Sequence, residues 1–402
     1  ALLPLSFLHD GDPDMNIEAE WTPPPPAVAG ATVTPEPPGP EAGNRLVREF
    51  LASPNIASGE PAARTYDHEV KALTVVKPWL GVYRDVPAAA TVFLTDHDGT
   101  AGYALAEGIF PCYSDHDARA MAQAGVDLAV RRVIAAGARP DRIAALDNYC
   151  WPDPLEGPGN PDARHKLAQL VRASEGLAEI CLAYSVPLIS GKDSMKNDAV
   201  VGGRRISIPP TLLASTIALI DDVRNAMTLQ PGGRDELLLV LGETRDELGG
   251  TAWGVARGLT AGHVPVCRPS EFHRLHLAVA DLIRRRLVTA VHAPGRGGLL
   301  TGLFYMARAG GLGLIADLGE IPVSGDPSWE ARLFGESCGR FLASCVPGDL
   351  AAVRARLAGL PFAIAGVFDG GGRLKIRLGA RKLVDAAVDD LAAAWQHREG
   401  RP

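Results

Sequence analysis

The chain alternates between short apolar runs with strand character and longer stretches whose apolar residues recur every three or four positions. Between Tyr66 and Asp222, the runs Ala72–Val76, Ala90–Thr95, Ile143–Leu146, Val186–Ser190 and Thr211–Ile220 read as strands. Two helical patterns fall among them. One spans Asp117–Ala136, apolar at Ala120, Val126, Leu128 and Val133, and the other spans Asp162–Tyr184, apolar at Leu167, Leu170, Val171, Leu177 and Ile180. This alternation predicts a mixed α/β unit. Glu236–Gly242 is a continuous apolar run closed by a glycine, which suits a buried strand and opens a second α/β unit. That unit continues through an amphipathic stretch (Leu275, Val279, Leu282, Ile283, Leu287), on which Arg284-Arg285-Arg286 reads as a solvated face. A glycine-rich loop at Gly295–Gly298, a helix from Leu299 to Ala309 and a helix from Leu383 to Gln396 complete it.

Ahead of both units, Trp21 to Asn44 is rich in proline (Pro23 to Pro26, Pro35, Pro37, Pro38, Pro40), which favours extended backbone over a packed core. Arg45 to Ala52 predicts a short amphipathic helix. The expected organisation is a linker with a short helix over 1–64, one α/β unit over 65–223 and another over 224–402.

Length agrees with this division, because 402 residues exceed what one ordinary core organises. A net charge of −7 argues against a nucleic-acid partner, which needs clustered Lys and Arg. No apolar run approaches the roughly 20 residues that cross a bilayer, so no membrane partner is expected. The six cysteines form no C-x-x-C pair, so neither a zinc ribbon nor a disulfide framework is indicated, and reduced thiols fit a cytoplasmic protein. The start at Ala1 reads as a fragment or a processed chain.

Candidate chemistry concentrates at Pro187-Leu-Ile-Ser190-Gly191-Lys192-Asp193-Ser194-Met195-Lys196-Asn197. Here an apolar strand is expected to enter a turn of small and polar residues, offering backbone N–H groups, one ammonium and one hydroxyl to a phosphate, with Asp193 able to hold Mg²⁺. An ordinary loop would look the same in isolation. The Walker pattern does not fit, because its first glycine is missing and Lys192 is followed by Asp193. Asp96-His97-Asp98-Gly99 suggests a metal only superficially, since turns favour Asp and Gly for conformational reasons.

Two further segments turn these residues into a resemblance. Asp147-Asn148-Tyr149-Cys150-Trp151-Pro152-Asp153-Pro154 and Phe334-Gly335-Glu336-Ser337-Cys338-Gly339-Arg340-Phe341 resemble the D-N-x-x-x-x-x-P and F-x-E-x-x-G-R elements of phosphoribosylformylglycinamidine synthases. Phe7 to Gly11 followed by Trp21, Tyr66-Asp67-His68-Glu69-Val70, Thr74 to Pro78, Pro209 to Leu212 and Glu247-Leu248-Gly249-Gly250 recur in the same order. The chain resembles the carboxy-terminal half of the synthetase part.

The resemblance implies a two-domain architecture like that of aminoimidazole ribonucleotide synthase: an α/β domain that contributes to a β-barrel, then a three-layer α/β domain. It implies ATP and Mg²⁺, an amino-terminal synthetase half on the same or another chain, a glutaminase subunit or domain, and a small nucleotide substrate whose amide oxygen is phosphorylated before ammonia displaces the phosphate. Carried over by position, Asp147 and Asn148 lie against ATP, Gly191 against the nucleotide and Ser194 against substrate. Lys192 stands where small bacterial relatives have a metal-binding Asn, so it is expected to meet a phosphate directly or to pair with Asp193.

The sequence departs from the family at His292-Ala293-Pro294-Gly295-Arg296-Gly297-Gly298, where large members read H-D-x-S-D-G-G and hold an auxiliary nucleotide. Either that site is empty or Arg296 neutralises phosphate in place of a metal. Gly295–Gly298 as a plain helix-initiating turn remains open. His68 sits where the first half of the family carries its catalytic histidine, and reads either as an acid–base group or as a structural relic. No glutaminase signature and no S-E-H-C segment are present. Two alternatives stand beside the ligase: a catalytically silent scaffold half, and another ATP enzyme of the same superfamily.

Overall fold

The computed structural model describes residues 2–11, 16–23, 36–67, 69–259 and 262–397. Two sheets carry the fold. The first is six-stranded, made of Thr74–Val76 (β1), Thr91–Leu94 (β2), Gly102–Ile109 (β3), Ile143–Cys150 (β4), Leu188–Ser194 (β5) and Thr211–Ile220 (β6), in the order β1-β2-β3-β6-β4-β5. All neighbours are antiparallel except β4 and β5, which run parallel. The parallel pair needs a crossover, and the helix Ala163–Tyr184 supplies it.

One face of this sheet is covered by that helix and by Ala118–Ala135 (α2, following α1 at Pro40–Leu51; Ala163–Tyr184 is α3). The inward positions are small: Ala104, Ala106, Ala145, Ala214 and Ala218 are buried. They let α2 come close. A Cβ on Gly108 of β3 would stand 1.9 Å from the carbonyl oxygen of Gly125 in α2, so glycine is required where strand and helix touch.

The other face is open. Register places Tyr103, Leu105, Leu146, Leu213, Ile217 and Leu219 on it, and Leu105, Leu146 and Leu219 are exposed. Strand β5, at the sheet's end, leaves one edge unpaired.

The second sheet has seven strands: Leu237–Leu241 (β7), Ala290–His292 (β8), Gly313–Asp317 (β9), Phe341–Cys345 (β10), Phe362–Asp369 (β11), Arg373–Leu378 (β12) and Arg381–Ala387 (β13), in the order β8-β10-β7-β11-β9-β12-β13. Leu239, Leu241, Phe341 and Ala343 face the helix Pro269–Arg284 (α4), in a core continuous with that of the first sheet. Leu238, Val240 and Leu342 face Gly298–Gly310 (α5) and Val388–Trp395 (α6). The expected three-layer arrangement is therefore present, and the mixed α/β class holds.

Three expectations need correction. Strand β3 escaped the sequence reading, because its small residues break the apolar alternation. The stretch Leu383–Gln396 is not one helix: Arg381–Ala387 pairs antiparallel with β12, and the helix begins only at Val388. The linker expected over Trp21–Asn44 is helical from Pro40, which occupies the first turn of α1, where its missing N–H is no loss; residues 24–35 lie outside the described residues. The short helix expected ahead of the first unit is present as α1, and it packs on the second. Asn44 exchanges hydrogen bonds with the Asp385 backbone at 2.9 and 2.8 Å, and Phe50 packs edge-on to Trp253 and Phe334.

The two units are tied by a buried ion pair within α2. Arg131 Nε donates to Asp127 Oδ2 at 2.6 Å, with both side chains buried. Arg131 Nη1 also donates to the carbonyls of Pro294 and Arg340, each at 2.9 Å, and Gly339 N donates to Asp127 Oδ2 at 3.0 Å. Burial alone would raise the Asp127 carboxyl, but the Arg131 charge holds it below the ordinary range. Replacing Arg131 by methionine leaves an uncompensated buried carboxylate. Such a break costs ~3–5 kcal/mol. Urea unfolding of Arg131→Met is expected to show a loss of that size, while Arg139→Met, an exposed pair, changes stability little.

Candidate functional site

The Gly191–Ser194 segment forms strand rather than turn. Strand β5 continues through Ser190, Gly191, Lys192 and Asp193 to Ser194, and the chain turns only afterwards. The expected cradle of converging turn N–H groups is thus replaced by an exposed strand edge, whose outward N–H groups are free of the ladder. Parallel pairing with β4 sets Asp147 beside Gly191, Asn148 beside Lys192, Tyr149 beside Asp193 and Cys150 beside Ser194. Residues separated by more than forty positions in sequence therefore form one patch at the carboxyl ends of two parallel strands.

Strand alternation sorts this patch into two faces. Asp147, Gly191 and Asp193 share the helix-covered side. A Cβ on Gly191 would stand 2.8 Å from Asp147 Oδ1, so the glycine leaves room for the carboxylate. Burial pushes the Asp147 carboxyl above its ordinary range, and the charge of Asp193 pushes the same way. Asn148 and Lys192 lie on the opposite, open side. No ion pair joins Lys192 to Asp193 among the described residues, which corrects that expectation: neighbours on a strand point apart.

Ser194 ends the strand in a clamp. Asn197 Nδ2 donates to Ser194 O at 2.7 Å, Ser194 Oγ lies 3.2 Å from Asn197 Oδ1, and Trp151 N donates to Ser194 O at 2.8 Å. Next to it, the hairpin of Asp198–Val201 and Arg204–Ser207 is held by Arg205, which reaches Asp153 at 3.0 Å and Asp198 at 2.8 Å. The geometry offers an exposed ammonium, a strand edge of N–H donors, a hydroxyl and two neighbouring carboxylates. Together these suit a phosphorylated ligand.

Arg296 stands elsewhere, at the start of α5 in the second unit, with its side chain exposed. It lines a cavity of about 30 Å³, room for a water molecule, together with Cys112, Tyr113, Gly250 and Glu336. His68 lies outside the described residues. Asp96 accepts from the N–H groups of Asp98 and Gly99 at 3.0 and 2.6 Å, the geometry of a side-chain-capped turn.

Sequence reasoning quoted Glu336 but gave it no role. Its buried carboxylate accepts from Gly297 N at 2.8 Å and Ala252 N at 3.0 Å through one oxygen, and from Tyr113 Oη at 2.8 Å through the other. Burial pushes its carboxyl up against the pull of these bonds. The Gly297 N–H at the start of α5 is therefore already engaged by an internal anion. The only available sequence signal was an acid set among Phe, Cys and Gly in a hydrophobic segment. Its three donors lie far apart along the chain.

The family models for AIR synthase related protein, N-terminal domain, and AIR synthase related protein, C-terminal domain, match residues 88–207 and 233–379. Among curated relatives, the phosphoribosylformylglycinamidine synthase subunit PurL of Methanopyrus kandleri is 31% identical over 98% of this chain and 51% of its own length. That of Ignicoccus hospitalis is 32% identical over 96% of this chain and 50% of its own length. The chain thus spans about half the length of the curated relatives it matches. Among solved structures, Thermotoga maritima PurL complexed with FGAR superposes with a TM-score of 0.64 at 16% identity, over 87% of this chain and 53% of that one. The same protein complexed with ATP gives 0.61 at 17%, over 87% of this chain and 51% of that one. At that identity the likeness is one of fold. Both domain matches fall in order, one on each sheet, and the chain belongs to the AIR synthase related proteins.

Proposed function

We propose that the chain is the second half of the synthetase part of a phosphoribosylformylglycinamidine synthase, working in ATP- and glutamine-dependent conversion of formylglycinamide ribonucleotide to the amidine in purine biosynthesis. The observation that carries this reading is the placement of Asp147 against Gly191 at an open strand edge, beside an uncovered apolar sheet face. In the proposed reaction the amide oxygen takes the terminal phosphoryl group of ATP and ADP leaves. Ammonia, delivered by a glutaminase partner, adds to the activated carbon, and phosphate departs.

Within that scheme Lys192 and the β5 N–H groups hold phosphate oxygens, Ser194 orients the substrate and Asp147 orients the nucleotide. Asp147 and Asp193 fit Mg²⁺, which takes one or two carboxylates with water and phosphate oxygens for the rest. Burial chiefly, and the charge of Asp193 in addition, raise the Asp147 carboxyl, and a divalent cation bound there would offset both. Bound there, the ion would neutralise phosphate charge. Lys192 faces away from this pair and acts as a point charge.

The open face of the first sheet fits a sister unit of the same architecture. Exposed Leu105, Leu146 and Leu219 form an apolar surface that a second sheet would cover, closing a barrel. The domain limits 65–223 and 224–402 belong to this reading. A second reading, a catalytically silent scaffold half, is favoured by the α5 start, where Ala293 and Gly295 offer no ligand and Glu336 occupies Gly297 N.

Calorimetry with ADP and Mg²⁺, on the chain assembled with its amino-terminal half, separates the two readings. Lys192→Ala removes a charge-assisted contact worth ~1.5–3 kcal/mol and is expected to weaken binding about 10-fold or more. Gly191→Ala, which displaces the Asp147 carboxylate, is expected to weaken it similarly without lowering the melting temperature. Unchanged affinity in both variants supports the scaffold.

A second prediction concerns assembly. Leu105→Lys on the open face is expected to abolish co-elution with the amino-terminal half and with it the ligase activity of the mixture, leaving the melting temperature of the isolated chain unchanged. Ligase activity of the purified chain alone, given ATP, ammonia and substrate, would refute the division of labour.

A further inference from the structure

Beneath the junction of the two units, the fold gathers metal-ligating side chains that no sequence spacing announces. Asp127 comes from α2, Cys267 from the loop before α4, and Cys338 from the loop between Phe334 and β10. One ligand atom from each lies within 4.8 Å of the others, and all three residues are buried. Among the described residues, one group of three or more His, Cys, Asp and Glu side chains meets that distance, and it is this one.

A second observation points into the same place. His276 of α4 is 1% exposed, its Nε2 has no hydrogen-bond partner, and that nitrogen lies 3.8 Å from Asp127 Oδ1. A buried, unpartnered imidazole nitrogen is costly unless something satisfies it.

We propose that Cys267, Cys338 and Asp127 form a structural site for a zinc-type divalent cation, closed by His276, which stands beside Asp127 but outside the mutual 4.8 Å of the other three and swings in as fourth ligand. Two sulfurs, one nitrogen and one carboxylate oxygen make a tetrahedral set suited to Zn²⁺ and unsuited to Mg²⁺, which takes oxygens. With Zn–S bonds of about 2.3 Å and Zn–O bonds of about 2.0 Å, the three mapped atoms, within 4.8 Å of one another, need to close by roughly 1.3 Å at most.

Charge supports the assignment. Asp127 is balanced by Arg131. Metal uptake exchanges two thiol protons for one divalent cation, M²⁺ + 2 RSH → M(SR)₂ + 2 H⁺, so the buried net charge does not change. Asp127 keeps its Oδ2 on Arg131 and Gly339 and turns Oδ1, now accepting from Tyr184 Oη at 2.9 Å, toward the ion. Cys267 gives up a long S–H contact to the Gln123 carbonyl at 3.7 Å. The site has no open position and would load as the chain folds. Its ligands come from both units, so the ion would pin their junction.

The test is independent of ligase activity. Protein refolded with Zn²⁺ and dialysed is expected to hold roughly one metal per chain by elemental analysis, and the Co²⁺ form is expected to show sulfur-to-cobalt charge-transfer absorption. Cys267→Ala and Cys338→Ala should each lose that absorption and bind the metal at least ~10-fold more weakly. Cys112→Ala should keep both. His276→Gln serves as a further variant if a cysteine variant does not fold. Folded wild-type protein without metal, or metal retained equally in both cysteine variants, would overturn the proposal. So would an intact mass two hydrogens lighter with a Cys267–Cys338 linkage, which would make the thiols a redox pair.

Discussion

The relation between the two sheets rests on the Asp127–Arg131 ion pair. Both charges sit out of water on one helix of the first unit, and each also bonds backbone of the second, while Asp127 Oδ1 accepts from Tyr184 of the first. A buried pair of this kind is weak evidence for stability in itself, since desolvation consumes much of the Coulombic gain. Its contacts hold the backbone at Pro294, Gly339 and Arg340 of the second unit against α2. A continuous core runs from the first sheet through α4 to one face of the second.

That junction explains what the most recognisable motifs do. Gly250, with φ of +67°, presses against the Cys112 carbonyl, where a Cβ would stand 2.8 Å away. Glu247 pairs with Arg268 at 3.1 Å, and Glu336 gathers donors from three separate segments. The E-L-G-G and F-x-E-x-x-G-R segments thus build the seam between units. The D-N and S-G-K-D-S segments lie on adjacent strands and form the candidate phosphate patch. One family signature thus divides between the seam and the candidate patch.

Much of this was legible in the sequence where side-chain periodicity is strong. The helices Ala118–Ala135 and Ala163–Tyr184 and the strand Thr211–Ile220 follow from their apolar spacing. Strand Gly102–Ile109 was not legible, because close approach to α2 demands Gly and Ala where alternation would need larger residues. The S-G-K-D-S segment reads as a turn by composition, and pairing with β4 overrides that preference. Nothing in the spacing of Asp127, Cys267 and Cys338 hints at their meeting, since only the shared junction of the two units brings them together.

The proposed role requires a phosphate-binding edge on β5 beside a sheet that a sister unit completes. Amide hydrogen exchange across Leu188–Ser194 and Gly102–Ile109 tests it most directly, on the chain alone, with the amino-terminal half, and with that half plus AMPPCP and Mg²⁺. The account predicts fast exchange at the outward amides of β5 in the chain alone, slowing when nucleotide is added to the assembled halves, and protection of Gly102–Ile109 on assembly. Exchange in Leu188–Ser194 that is already slow in the chain alone, or unaltered by nucleotide in the assembly, would contradict it.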